Sequence, residues 1–246
     1  RDPEMSRGLG DVYKRQKQNI LFFTRTMMLG GTENVVLQLC EVFKPKVNKI
    51  VVCSCGGVNV EKLTEMGIRH YQIPDISSKK DMFKICRTVK KIVEKEQITV
   101  IHSHHRMAAF YTEILFGSSI IKIANAHNTF FDKKLLTRFA YRNTKVIAVG
   151  KMVKKNLVDY FRIPEKQVSV IHNAVKPFDG DYIEDKYIRK LHDDGNFVVG
   201  NIGRLSEQKG MEYFIEAIPK ILKKYPRTRF VIAGNGEDEQ KLFSLV

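Results

Sequence analysis

The chain has 246 residues, 43% hydrophobic and 28% charged, with a formal net charge of +15. This is the composition of a globular protein with room for one large domain or two small ones, and it excludes a low-complexity or fibrous chain. No apolar run reaches the roughly 18–20 residues needed to cross a bilayer, since the longest candidate, Ile114 to Ala126, is broken by Ser118, Ser119, Lys122 and Asn125.

No nucleic-acid module is recognisable, and the lysines and arginines are spread over many segments rather than gathered in one tail, so nucleic acid is not expected as a partner. A solvated basic surface accounts for the charge most simply, and contact with the cytoplasmic face of a membrane is the second reading. Four cysteines are present. Cys53 and Cys55 lack the CxxC spacing and second ligand pair of a metal site and are expected as reduced core cysteines. They point to a cytoplasmic protein with no metal. No N-terminal signal-peptide pattern is visible.

In chain order, residues 1–16 have no apolar periodicity. Asp11-Val-Tyr-Lys-Arg-Gln16 is the in-frame translation of a transposon end used in making sequencing libraries, so this leader reads as an artefact rather than a natural disordered segment. From residue 17 short apolar runs alternate with amphipathic stretches, the pattern of a parallel α/β fold. Strands are expected at Asn19–Thr24, Lys49–Ser54, His70–Ile73, Thr99–His102, Ile120–Ala126, Lys145–Val149 and Gln167–His172. Helices are expected at Thr32–Phe43, Asp81–Lys95, Arg106–Phe116, Lys133–Arg142 and Lys151–Tyr160. In the first, Val35, Val36, Leu39, Cys40 and Phe43 form the apolar face. In the second, Met82, Ile85, Val89 and Ile92 point inward. These elements make one doubly wound domain, 17–177. A charged linker with a short helix, 178–194, and a β-α-β unit, 195–246, follow.

Three places carry chemistry. Leu29-Gly-Gly-Thr-Glu33 follows the first strand, where open α/β sheets bind ligands. Gly30 and Gly31 would either let the backbone approach a phosphate or form a tight turn of positive φ. Arg204 and Lys209 follow Gly203 and would flank a diphosphate, or would be ordinary surface residues of a loop. His127, at the end of Ala124-Asn-Ala-His127, would orient a sugar hydroxyl or stabilise charge, or would be a satisfied loop histidine. His102 and His104 share a strand face and read as support for the same cleft rather than as metal ligands.

The order of these motifs carries a resemblance. The Gly-Gly-x-Glu turn, Val100-Ile-His-Ser-His104, Asn125-Ala-His-Asn128, Val146-Ile-Ala-Val149, Val168-Ser-Val-Ile-His-Asn173 and Gly203-Arg-Leu-x4-Gly210 together resemble glycosyltransferase family 4, over residues 19–246. The resemblance implies a GT-B fold of two Rossmann-like domains with a nucleotide diphosphate sugar between them. It also implies transfer with retention to a saccharide or lipid-linked acceptor, without a cofactor. By it, Gly30, Gly31, Arg204 and Lys209 hold the donor diphosphate, His127 is catalytic, Gly203, Gly234 and Gly236 form donor-side turns, and Asn173 supports the cleft. Gly150 stands where a serine is common, and His172-Asn173-Ala174 replaces Pro-Asn-Gly.

The family's pair of glutamates and its base-binding strand would lie beyond Val246, so the expectation for this chain alone is an inactive, poorly stable protein with an unpaired sheet edge. The alternative is a non-catalytic binding module for an anionic glycan, lipid or protein. A dinucleotide oxidoreductase lacks its GxGxxG, and a non-hydrolysing epimerase lacks a suitable carboxylate dyad. Phe130-Phe-Asp-Lys-Lys-Leu-Leu136 would suit a membrane-bound acceptor, but is expected simply to pack a helix on the sheet.

Overall fold

The central strands of the first part of the chain are rich in β-branched or aromatic residues and mostly buried, which is what a parallel sheet covered on both faces requires, while the edge strand Arg69–Gln72 is half exposed. The computed structural model describes residues 18–175, 177 and 180–246; the expected leader 1–16 falls outside the described residues. Contacts divide the chain into two units, Arg1–Val175 and Lys176–Val246.

In the first unit the strands are β1 Asn19–Phe23, β2 Lys49–Ser54, β3 Arg69–Gln72, β4 Val100–Ser103, β5 Ile121–Ala126, β6 Lys145–Ala148 and β7 Val168–Val170. The helices are α1 Gly31–Phe43, α2 Val60–Glu65, α3 Met82–Glu96, α4 Arg106–Phe116, α5 Lys134–Ala140 and α6 Lys151–Lys155. All seven strands join one parallel sheet in the order β3-β2-β1-β4-β5-β6-β7, so the direction of winding reverses between β1 and β4. Side chains alternate through the sheet accordingly. Leu21, Phe23, Val51 and Cys53 pack under α3 and α4 through Ile85, Val89, Ile92 and Tyr111. Ile20, Phe22, Ile50 and Val52 pack under α1 and α2 through Val36, Leu37, Cys40 and Leu63.

The expected strands and helices are present with ends shifted by a residue or two, and α2 is an element that periodicity did not reveal because it is barely two turns long. Four details differ from expectation. The buried stripe of α1 runs through Val36, Leu37 and Cys40, so Val35 and Leu39 sit at its margins. Met82, the first residue of α3, is exposed, and the buried stripe of that helix begins at Ile85. Cys55 lies one residue past β2 and is only half buried; Cys53 is a core residue, and burial pushes its thiol well up. Finally, the segment expected as the helix Lys151–Tyr160 is α-helical only to Lys155 and closes as a π-turn, Asn156–Tyr160.

The second unit contains α7 Lys186–Asp193, β8 Phe197–Ile202, α8 Met211–Lys224, β9 Thr228–Ala233 and α9 Glu239–Phe243. Strands β8 and β9 pair in parallel, and Leu205, Met211, Ile215 and Leu242 form a small core. The helix foreseen in the linker is α7, within this unit.

Beneath β5 in the first unit, the Lys122 ammonium lies on the Glu113 carboxylate with both side chains essentially excluded from water. Asn143 Nδ2 donates to the other Glu113 oxygen at 2.7 Å. Removing one partner of a buried pair leaves its charge poorly compensated, here with only the largely exposed Arg142, its Nε 3.6 Å from Glu113 Oε1, still beside the carboxylate. Lys122→Met is therefore expected to cost roughly 3–5 kcal/mol, and Lys122→Met/Glu113→Leu far less, measured as the shift in the urea midpoint. Equal losses in both variants would show that packing, not the ion pair, dominates there.

Candidate functional site

At the carboxyl ends of β1, β4 and β5 the first unit gathers four of its six histidines. Register sets the arrangement: Phe22 lies beside His102, and His102 beside Ile123. Because side chains alternate, His102 and His104 emerge on the Phe22 face, with ring centroids 4.5 Å apart. His102 Nε2 pairs with Asn125 Oδ1 at 2.9 Å. His104 Nδ1 pairs with His127 Nε2 at 3.3 Å, and the two rings stack. His105 caps α4, its Nδ1 accepting from the Met107 amide at 3.1 Å. The sequence placed His102, His104 and His127 near one another, and the structure brings them into direct contact. Asn125 was not among the expected site residues, because only the pairing of β4 with β5 makes it the partner of His102.

Burial holds these rings neutral. It pulls His102, His105 and His127 down to about 4, and His104 further below the usual histidine range. His104 Nε2 is buried without a hydrogen-bond partner among the described residues. A bare ring nitrogen is cheaper to leave unpaired than an orphaned N–H, which favours the tautomer with the proton on His104 Nδ1, donated to His127 Nε2. His127 then carries its own proton on Nδ1, as a neutral donor. No group of three or more His, Cys, Asp or Glu among the described residues is arranged to hold a metal ion.

The loop from Thr24 to Gly30 leads from β1 into α1. It is fixed by the loop after β2. The Met27 amide donates to the Gly56 carbonyl at 2.9 Å, and Asn59 Nδ2 donates to the Met28 carbonyl at 2.6 Å. A Cβ at Gly57, which has φ +145°, would run into the Met27 backbone. The Gly56-Gly57 doublet was visible in the sequence, but only the fold makes it the bracket of this loop. Gly30 precedes α1 in extended conformation, φ −178°, and neither Gly30 nor Gly31 has a left-handed φ, so the tight-turn explanation of this pair does not hold. A Cβ at Gly30 would meet only the mobile end of the Glu33 side chain, at 2.5 Å, so packing within the unit does not by itself require glycine there. Thr26 Oγ1 donates to Glu33 Oε1 at 2.5 Å. The amino end of α1 thus already has a negative charge beside it, and a diphosphate would need its countercharge from other residues.

In the second unit the loop after β8 holds Gly203, Arg204 and Lys209. Arg204 and Lys209 are exposed, and neither takes part in an ion pair among the described residues. Two glycines shape the loop. Gly234 has φ +156° and leaves space for the Gly203 carbonyl, and Gly236 leaves space for the Leu205 carbonyl. The two loops are then stitched together, Gly203 N–H to Ala233 C=O at 3.0 Å and Leu205 N–H to Asn235 C=O at 2.8 Å. Between Arg204 and Lys209, Ser206 is buried with its hydroxyl unpartnered. Asn173, after β7, is exposed, and His172 Nδ1 lies 3.2 Å from the Val149 carbonyl. Among the described residues, His104 Nε2 and Ser206 Oγ are the two buried side-chain atoms without a partner, one at each candidate site.

A doubly wound parallel sheet with polar side chains converging where the strand order reverses defines a ligand-binding α/β protein. Residues 29–177 match the family described as Glycosyltransferase Family 4, and residues 183–246 match Glycosyl transferases group 1. The chain belongs to glycosyltransferase family 4. It is 28% identical over 227 residues to a subunit of human phosphatidylinositol N-acetylglucosaminyltransferase, covering 85% of this chain and 46% of that protein. It is also 28% identical over 205 residues to an uncharacterised glycosyltransferase of Methanocaldococcus jannaschii, covering 74% and 50%. The chain thus spans about half the length of these relatives. Among solved structures, Anabaena HepE in complex with UDP superposes with a TM-score of 0.71 at 18% identity, over 92% of this chain and 64% of that one. The fold is of the GT-B type, with a seven-stranded parallel sheet in the first unit and a parallel β-α-β in the second.

Unfolded histidines take up protons near 6.5 and the folded ones near 4, so in between the unfolded chain binds more protons. Stability is expected to be complete above about pH 6.5 and to fall as pH drops toward 4, with a slope of up to about 1.4 kcal/mol per pH unit for each histidine. Urea midpoints at pH 7, 6 and 5 check this, and a flat profile would contradict the burial of the four rings.

Proposed function

We propose that this chain is the acceptor-side domain and the diphosphate-gripping start of the donor domain of a retaining glycosyltransferase. The whole protein moves a sugar from a nucleotide diphosphate sugar to a saccharide or lipid-linked acceptor. The observation that carries this reading is the pair of exposed, unpaired cations Arg204 and Lys209 at either end of a glycine-shaped strand-to-helix loop. Side chains free of internal partners are available to a ligand, and a guanidinium and an ammonium suit a diphosphate. Family membership and the UDP bound to a structure of the same fold support it.

In this reading Arg204 and Lys209 take up the charge of the leaving diphosphate, with no resident metal or other cofactor. Gly30 and Gly31 keep the amino end of α1 open to the donor. Neutral His127 donates from Nδ1 to a hydroxyl of the transferred sugar, steadied from behind by His104. Gly203, Gly234 and Gly236 keep the donor-side loops narrow, and His102 and Asn173 support the cleft. A lipid-linked acceptor is favoured by the phosphatidylinositol-linked activity named for the human relative. It goes with a cytoplasmic protein working at the inner membrane face.

Titrating the chain with UDP, GDP and ADP tests the donor assignment. Arg204→Ala and Lys209→Ala are each expected to weaken the preferred nucleotide by roughly 10- to 100-fold. Unchanged affinity in both would remove the clamp, and no binding of any nucleotide would favour a binding module instead. In the whole protein His127→Ala is expected to cut kcat more than donor affinity; equal losses would make His127 structural.

A further inference from the structure

The β5–α5 connection was expected to pack its helix against the sheet. Half of it does, since Thr137 and Ala140 are buried. The other half faces outward: Phe131 is 72% exposed and Leu135 79%. Both belong to the short segment that leads from β5 into α5, Phe131 in the loop and Leu135 in the first turn of the helix, and Arg138 is exposed in the same helix.

Such large apolar side chains in water have a cost that a flexible loop would avoid by collapsing. Here the backbone prevents collapse. Asn156, in the π-turn, clasps Phe130 on both sides, Oδ1 accepting from its amide at 3.1 Å and Nδ2 donating to its carbonyl at 3.0 Å. Tyr160, at the other end of that turn, donates to the Phe131 carbonyl at 2.5 Å and meets the Phe131 ring edge-on. Arg106 grips Asp132 at 2.8 and 3.2 Å and lies 4.7 Å from the centre of the Phe130 ring. A π-turn changes which residues of a helix share a face, and in this one Asn156 and Tyr160 both reach the loop. Met152, one turn earlier on the same face of α6, is 71% exposed.

The charge around these apolar tips has one sign. Lys133, Lys134 and Arg138 are exposed and form no ion pair among the described residues, while the single acid of the connection, Asp132, is neutralised by Arg106. Apolar tips ringed by unneutralised cations complement an anionic surface with an apolar interior beneath it. A protein partner would need matching acidic side chains and pockets, whereas a lipid surface needs neither. The connection also starts at His127, so whatever it touches lies close to the candidate site.

We propose that Phe131 and Leu135, flanked by Lys133, Lys134 and Arg138, form a rigid wedge that docks on an anionic lipid bilayer. The wedge deepens the lipid-acceptor reading above and rests on it for its purpose, but its physical basis is independent of any transfer activity. It would bring the histidine cluster to the membrane without a spanning helix, and no helix among the described residues is long and apolar enough to span.

The sequence contains no tryptophan, so Phe131→Trp introduces a single reporter at an exposed position. With vesicles of phosphatidylcholine and phosphatidylglycerol, its emission is expected to move to shorter wavelength and to be quenched by brominated acyl chains. With pure phosphatidylcholine it stays unchanged. Phe243→Trp, equally exposed in the second unit, is expected not to respond. Lys133→Gln/Lys134→Gln in the Phe131→Trp background is expected to weaken binding about thirtyfold, from about 1 kcal/mol for each basic residue.

No response at position 131, an equal response at 243, or equal binding to uncharged vesicles would each overturn the proposal. A concentration-dependent blue shift without vesicles would assign the face to a second copy of the chain and overturn it too. Unaltered far-ultraviolet dichroism and melting confirm that the variants are folded. Vesicle binding by a chain that ignores all nucleotides would sink the donor assignment and leave the wedge standing.

Discussion

β1 lies between β2 and β4, and its ladder with β4 continues one residue past the strand, His104 N–H to Phe23 C=O at 2.8 Å. That pairing is where the winding of the sheet reverses, with α1 and α2 packed on one face and α3 and α4 on the other. Loops on the two sides of the reversal diverge and open a crevice at the carboxyl ends of the strands. The histidines, the glycine loop before α1 and the connection after β5 all stand around that edge, so their placement follows from one topological choice.

Placement at the edge of a tightly packed sheet also sets the chemistry. Histidines partly in contact with water would titrate near neutrality. Packed against Phe22 and on each other, these lose solvent and stay neutral, which suits them as dipoles and hydrogen-bond partners rather than as charges. The cations lie elsewhere, at Arg204 and Lys209 in the second unit and at Lys133, Lys134 and Arg138 beside the apolar wedge. Negative groups need charge to bind them, and neutral sugar hydroxyls need directional hydrogen bonds.

Rigidity recurs where side chains must be held against their own preference. Gly57 brackets the Met27 loop, Gly234 and Gly236 let two loops of the second unit touch, and the π-turn of Asn156–Tyr160 braces Phe130 and Phe131. In the first two cases close backbone approach does the holding, and in the third the Asn156 and Tyr160 side chains clasp main-chain groups. Such positions tolerate little change because an added Cβ or a lost clasp acts on the main chain itself.

The order of strands and helices, the family and the identity of the clustered histidines were legible in the sequence by itself. Alternating and helical periodicity depends on local burial, and the motifs are contiguous. Its limits were also local. Periodicity could not rotate α1 to its Val36, Leu37 and Cys40 stripe, separate Cys55 from the core, or detect the π-turn, because each depends on where a neighbouring element happens to end. The partner of His102, the unpaired ring nitrogen of His104, the reason for glycine at position 57 and the bracing of Phe131 depend on residues distant in the chain. Only tertiary structure decides these, since strand register and loop anchoring determine which side chain meets which, and no spacing within one segment encodes them.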